Sequence, residues 1–289
     1  MFVTLLSKIE AFSSSLEFNE ASIKLSEYID SCDDFVSILK QIGTIPESIE
    51  HDSTQEKLFA KASDAVLSRV FRELGLKSTI LRERSDSADV QAESIYHGYT
   101  LVADAKAFRL SRTARNQKDF KVTALSGWRK DAEYAILCSP YFQYPVNKSQ
   151  IYAQAVNNNV CLLSWEHVIF LIEHNIQESE SVNLSSLWNI SGTYAEHCVV
   201  AEKKNCFMPT INQAVYTLCE KTNVDFNEFL KQCCNRLTLR ANEETTFWKG
   251  ELERISSYTK EEAITELIKT KKINEKIAQI QKYIAGISV

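Results

Sequence analysis

The stretch YTLVADAKAFRLSRTARNQKDFKV, residues 99–122, changes character halfway along. Its first ten residues read as a β-strand, with Thr100, Val102, Asp104, Lys106 and Phe108 on one side and Tyr99, Leu101, Ala103, Ala105 and Ala107 on the other. Two positions along a strand span about 7 Å, so the Asp104 carboxylate and the Lys106 ammonium share a face and can converge on one small site. Just upstream, ADVQAESI (88–95) is a second strand-like run containing Asp89, and YHGYT (96–100), with Gly98 inside it, is a hairpin turn that sets the two runs side by side. Two carboxylates and a lysine then meet.

Outward from this hairpin, STILR (78–82), YAILCSP (134–140) and VCLLSW (160–165) complete a set of five strand-like runs. Helical texture lies between some of them, in KDFKVTALSGWRKD (118–131), with Phe120, Leu125 and Trp128 on a buried stripe, and in NKSQIYAQAVNNN (147–159). This order predicts an α/β protein with a mixed central sheet flanked by helices. Residues 1–75 are helical, with Leu58, Val66 and Val70 at helix spacing and a stop at Leu74-Gly75. Beyond about residue 210 the pattern is helical again and ends in one amphipathic stretch, TKEEAITELIKTKKINEKIAQIQKYIAGI (259–287). The organisation expected is a helical N-terminal region (1–75), a core (76–175) and a mainly helical C-terminal region (176–289).

Composition agrees with this reading. The 289 residues are 44% hydrophobic and 25% charged, which excludes disordered and fibrous classes, and seven Gly and four Pro are too few for a turn-rich β-sandwich. The opening MFVTLLSKIEAF lacks an export leader, and CLLSWEHVIFLI (161–172) falls short of the roughly 20 apolar residues that cross a bilayer. A cytoplasmic location is expected. Eight cysteines without repeated spacing read as reduced thiols; neither Cys198, Cys206, Cys219, Cys233 and Cys234 nor the neighbouring His197 matches a zinc-finger spacing. His167, in SWEHV, reads as a structural residue at a helix start.

The net charge of -5 hides an asymmetry. Between Ala105 and Lys130 eight basic residues face the single acid Asp119, so this window is +7 and the rest of the chain -12. Such a segment attracts a polyanion at one place and repels it elsewhere. Lys106, Arg109, Arg112, Arg115, Lys118 and Lys121 recur at every third position and would wind around a helix axis rather than form a stripe, which suits an irregular arm followed by a helix beginning near Lys118. Asn116, Gln117 and Asp119 add side chains that read adenine or cytosine edges.

Chemically, Asp89 and Asp104 offer the hard oxygen ligands that Mg²⁺ takes while keeping waters, and Lys106 would stabilise an incipient hydroxide for phosphodiester hydrolysis. An acid-x-lysine triplet is also an ordinary strand-borne salt bridge, so the triplet alone does not decide.

Longer segments decide more. STQEKLFAKASDAVLSRVF (53–71), the 99–122 stretch, FQYPVNKSQI (142–151), LLSWEHV (162–168) and YTKEEAITELI (258–268) resemble those of the HindIII-type type II restriction endonucleases, densely from about 45 to 170. The resemblance implies a PD-(D/E)xK nuclease core at 76–175, Mg²⁺-dependent cleavage of double-stranded DNA and a homodimer on a palindromic site, with AAGCTT cut after the first A as the leading target. It further implies a cognate DNA methyltransferase. Its motif falls on Asp104-Ala105-Lys106 and on Asp89, preceded by Ala88 where the motif has Pro. A helix-borne glutamate used by many such nucleases is matched by Glu56. DNA recognition is expected from Arg115, Asn116, Asp119 and Lys121 at base edges and from Arg112 and Lys118 at phosphates. A nuclease of the same core with a repair or structure-specific role, a DNA-binding protein without cleavage, and a helical protein using its basic arm on acidic partners are the alternative readings.

Overall fold

The structure is a computed structural model and describes residues 2–81, 87–112, 117–146, 148–197, 204–219 and 225–286. Met1–Thr238 form one compact unit and Leu239–Val289 a second. The chain begins with helices α1 (Phe2–Ser15), α2 (Phe18–Ser31), α3 (Phe35–Leu39) and α4 (Thr54–Glu73). α2 buries Ala21, Leu25 and Ile29 at every fourth position, and Arg69 of α4 donates to the Ile29 and Cys32 carbonyls, each at 2.7 Å, satisfying acceptors that the end of α2 leaves open. In α4 the expected stripe of Leu58, Val66 and Val70 is fully buried. Ser53 caps its start by accepting from the Glu56 N–H. Gly75, at φ +87°, ends it, with the Leu76 N–H donating to the Phe71 carbonyl at 2.9 Å.

A five-stranded sheet follows, ordered as in the chain: β1 (Lys77–Ile80), β2 (Val90–Glu93), β3 (Thr100–Ala105), β4 (Tyr134–Ser139) and β5 (Val160–Ser164). Each strand-like run of the sequence holds one strand. β1, β2 and β3 pair antiparallel, whereas β3–β4 and β4–β5 pair parallel, so the sheet is mixed. The β2–β3 connection turns through Gly98, at φ +72°, as the YHGYT segment predicts. Between β3 and β4 lie α5 (Gln117–Phe120) and α6 (Val122–Trp128), and α7 (Gln150–Asn157) carries the chain to β5. Phe120 and Leu125 are buried and Trp128 packs half-buried on the core, but Lys121, at φ +50°, divides that stripe between two helices. α4 packs on β1, β2 and β3, and α6 on β3, β4 and β5. Leu101, Val102, Ala103 and Asp104 are buried consecutively, so β3 is covered on both faces.

Beyond β5 come α8 (Trp165–Glu173), α9 (Ser185–Trp188), α10 (Ile190–His197), α11 (Lys204–Leu218) and α12 (Phe226–Ser256), then α13 (Lys260–Thr270) and α14 (Ile273–Gly286). His167 is structural: its ring Nδ1 accepts the Ser164 N–H at 3.0 Å while Ser164 Oγ accepts the His167 N–H at 3.2 Å, capping α8. The single amphipathic stretch expected over 259–287 is instead two helices. Lys269, Lys271 and Lys272 crowd one helix end, and Lys272 adopts φ +50°, a left-handed turn that breaks the run without glycine or proline. No described helix is long and apolar enough to cross a membrane.

Candidate active site

The antiparallel register fixes the site. Val90 pairs with Ala103, so Asp89, one residue earlier, stands across from Asp104, one residue later, and cross-strand neighbours project to the same face. The Asp89 N–H donates to the Ala103 carbonyl at 3.2 Å and its carbonyl accepts the Leu81 N–H at 2.8 Å, holding its backbone between two strands. The two carboxyls interact closely enough for Asp104 to raise the Asp89 carboxyl. Lys106 pairs with Asp104 Oδ2, as the alternation predicts. Its own backbone is clamped, the N–H donating to Cys138 O at 2.8 Å and the carbonyl accepting Trp165 Nε1 at 2.9 Å. Trp165 reaches that carbonyl past Gly43, where a Cβ would come within 2.7 Å of the indole.

Two further charged groups enter from α4. Lys61 Nζ lies 2.9 Å from Asp64 Oδ2 and 3.9 Å from Asp89 Oδ1, so three carboxylates and two lysines form one cluster. Sequence reading missed both residues because lysine and aspartate three apart on a helix look like a surface pair. The available signal was the setting of Asp64, a carboxylate within ASDAVLS (62–68), where every residue is buried.

Burial, the hydrogen bond to Asp104 and the negative charge of Asp64 and Asp104 push the Asp89 carboxyl up, to about 9. Burial also raises Asp64, to about 6, against the opposing pull of Lys61. Burial draws the Lys61 ammonium down, but Asp64, Asp89 and Asp104 reverse this and leave its pKa raised. In the metal-free chain the surroundings of Asp89 thus favour its protonated form. Asp104 Oδ2 is buried and ion-paired with Lys106, with no hydrogen-bond partner among the described residues. Among the described residues no three His, Cys, Asp or Glu side chains are arranged to chelate a metal. Mg²⁺, which binds through one or two carboxylates and keeps its waters, fits the pair of Asp89 and Asp104.

Glu56 is engaged elsewhere. Its carboxylate takes Arg109 Nη2 at 2.7 Å and the Asp52 N–H at 2.8 Å, and His51 Nδ1 lies 3.6 Å away. Along α4 it precedes Asp64 by eight residues, about 12 Å of helix. Burial opposes its ionisation, but Arg109 and the Asp52 N–H outweigh that and lower its pKa. The same loop holds the segment after β3 at two more points: Arg109 Nη1 donates to Pro46 O at 2.8 Å, and Glu47 accepts the Ser111 N–H at 3.0 Å and its hydroxyl at 2.9 Å.

Of the expected DNA contacts, Arg115 and Asn116 lie outside the described residues. Arg112 stacks 3.7 Å from the Phe108 ring centroid and pairs with Asp119 Oδ2 at 2.5 Å, so the structure brings these two candidates together. Lys118 is exposed on α5, and Lys121 Nζ sits 5.9 Å over the Trp128 ring. Cys219 and Cys233 are buried and Cys234 is exposed; Cys198 lies outside the described residues, as do the side chains of His197 and Cys206.

Comparison with known proteins adds an independent finding. A family model described as HindIII restriction endonuclease matches residues 6–284. The type II restriction enzyme HindIII of Haemophilus influenzae is 41% identical over 285 residues, 98% of this chain and 95% of the relative.

Proposed function

The chain belongs to the HindIII restriction endonuclease family and is a type II restriction endonuclease, and from that premise we propose how its residues divide the work. As a site-specific deoxyribonuclease it hydrolyses phosphodiester bonds of DNA with a divalent metal. We assign that metal as Mg²⁺, held by Asp89 and Asp104. When bound, Mg²⁺ supplies polarisation of the phosphate and a more acidic water. Lys106 positions the attacking water beside Asp104 and stabilises the charge it acquires as it attacks phosphorus and the 3′ oxygen departs. Asp64, rather than Glu56, is the α4 carboxylate that faces the pair. Glu56 acts with Glu47 by anchoring the segment that leaves β3. The carrying observation is the β2–β3 register that sets Asp89 across from Asp104, with Lys106 on the same face.

Arg112, Arg115, Asn116, Lys118, Asp119 and Lys121 form the DNA-recognition segment. The target we propose is AAGCTT, cut after the first A by a homodimer that places one site on each strand. A cognate methyltransferase in the same cytoplasm protects the host's own copies of the sequence. The test is incubation of the purified protein with long duplex DNA of known sequence, with Mg²⁺ or with EDTA, followed by sequencing of fragment ends. Mg²⁺-dependent ends within AAGCTT are expected. Ends within another palindrome would discard the target, and undigested DNA would discard the enzyme assignment.

A further inference from the structure

We propose that Lys61 is a place-holder for the divalent cation: in the metal-free chain its ammonium sits between the Asp64 and Asp89 carboxylates, and it is displaced when the cation enters. The inference rests on the reading of Asp89 and Asp104 as metal ligands.

Three observations carry it. Lys61 does not serve only its own helix, because its Nζ lies 2.9 Å from Asp64 Oδ2 and 3.9 Å from Asp89 Oδ1, on the strand side of the site. The Asp64 side chain is 6% exposed, and Lys61 is the one cation within ion-pair distance of it among the described residues. The Lys61 side chain, by contrast, is 37% exposed, so its four-carbon stem can carry the ammonium into solvent without unpacking the core.

Charge gives the direction of the exchange. With Asp64, Asp89 and Asp104 ionised, Lys106 and one divalent cation neutralise the cluster, and Lys61 becomes a surplus positive charge beside the metal. Without the cation, Lys61 and Lys106 offset two of the three carboxylate charges. Lys61 thus keeps buried carboxylates from standing uncompensated in the free protein and weakens metal binding by the same amount that it stabilises the metal-free state.

The test is calorimetric titration of the full-length protein with Ca²⁺ alone, without DNA, together with the Ca²⁺-induced shift in Tm. Lys61→Met is expected to bind Ca²⁺ about tenfold more tightly than the unmutated chain, given the repulsion a unit charge exerts on a divalent ion at this range. Lys61→Arg, which keeps the charge, should retain the original affinity. Lys61→Gln, whose amide still donates to Asp64, covers the case in which the methionine variant fails to fold and should also bind more tightly. Unchanged or weaker binding in both neutral variants, with binding abolished in Asp104→Asn, would overturn the place-holder while sparing the ligand assignment. Ca²⁺ binding that survives Asp104→Asn would overturn both.

Discussion

At the scale of single residues, the site works by setting three acids against one another. Asp104, fixed in a buried strand, is ion-paired with Lys106, while burial and the neighbouring Asp64 and Asp104 push the facing Asp89 carboxyl up. Asp104→Asn and Lys106→Ala should therefore bind duplex DNA at their site yet cleave it at least about 10³-fold more slowly, the usual cost of removing a group that stabilises transition-state charge. Gel shift and single-turnover cleavage measure the two properties separately, and wild-type cleavage by either variant would refute the assigned roles. The raised Asp89 also fixes the sign of a pH effect. A carboxyl with a higher pKa in the folded than in the unfolded chain favours folding fully below the unfolded value, near 3.8, and loses that contribution as pH rises through the folded value, about 9. Metal-free protein should consequently lose Tm between pH 6 and 9, and Asp89→Asn, which keeps a neutral donor facing Asp104, should lose less over that window. A scanning-calorimetry series in EDTA checks this; parallel slopes for the two proteins would show that Asp89 does not carry the proton.

At the scale of elements, what could be read from the sequence was what repeats along the chain. The alternation through Asp104, the stripe at Leu58, Val66 and Val70, and the turn at Gly98 each leave a local signature, and each element stands where that signature puts it. The approach of α4 to the sheet leaves no such signature, so Lys61 and Asp64 remained an unremarkable pair until packing brought them beside Asp89. Glu56 shows the converse: its position on the same helix matched expectation, but the direction of its side chain depended on Arg109, more than 50 residues away in sequence. The left-handed Lys272 that divides the last helices is also a product of local crowding that no glycine or proline announces. Glu56→Gln tests whether this element positions or catalyses. If the Arg109 pair anchors the segment after β3, the variant should lose about 1 to 3 kcal/mol of stability, as when a charged hydrogen-bond partner is removed from a partly buried group. Its single-turnover rate at saturating Mg²⁺ should stay within about threefold, far from the losses expected of Asp104→Asn and Lys106→Ala. A loss as large as that of Asp104→Asn would return Glu56 to the chemistry.

For the whole molecule, the distribution of charge decides how DNA is met. The segment from Ala105 to Lys130 carries eight basic residues, and among the described ones the fold itself engages several. Lys106, Arg109 and Arg112 are ion-paired with Asp104, Glu56 and Asp119, and Arg129 donates to the Asn158 and Asn159 carbonyls. The -12 on the remainder of the chain discourages contact elsewhere, so binding in the correct orientation is favoured over binding anywhere. Salt dependence then reports how many of these cations reach phosphates. Each neutralised phosphate contributes about -0.9 to the slope of log K against log salt, so if Lys106, Arg109, Arg112 and Arg129 stay engaged within the protein, the slope for the proposed homodimer is no steeper than about -7. If all eight were released to the backbone, the slope would approach about -14. Equilibrium binding of Asp104→Asn to an AAGCTT duplex across a salt series distinguishes the two. A slope near the smaller value would show that the internal pairs persist on DNA. A slope near the larger would show that binding opens them, and Arg112→Ala would then lower it, whereas a persistent pair would leave it unchanged.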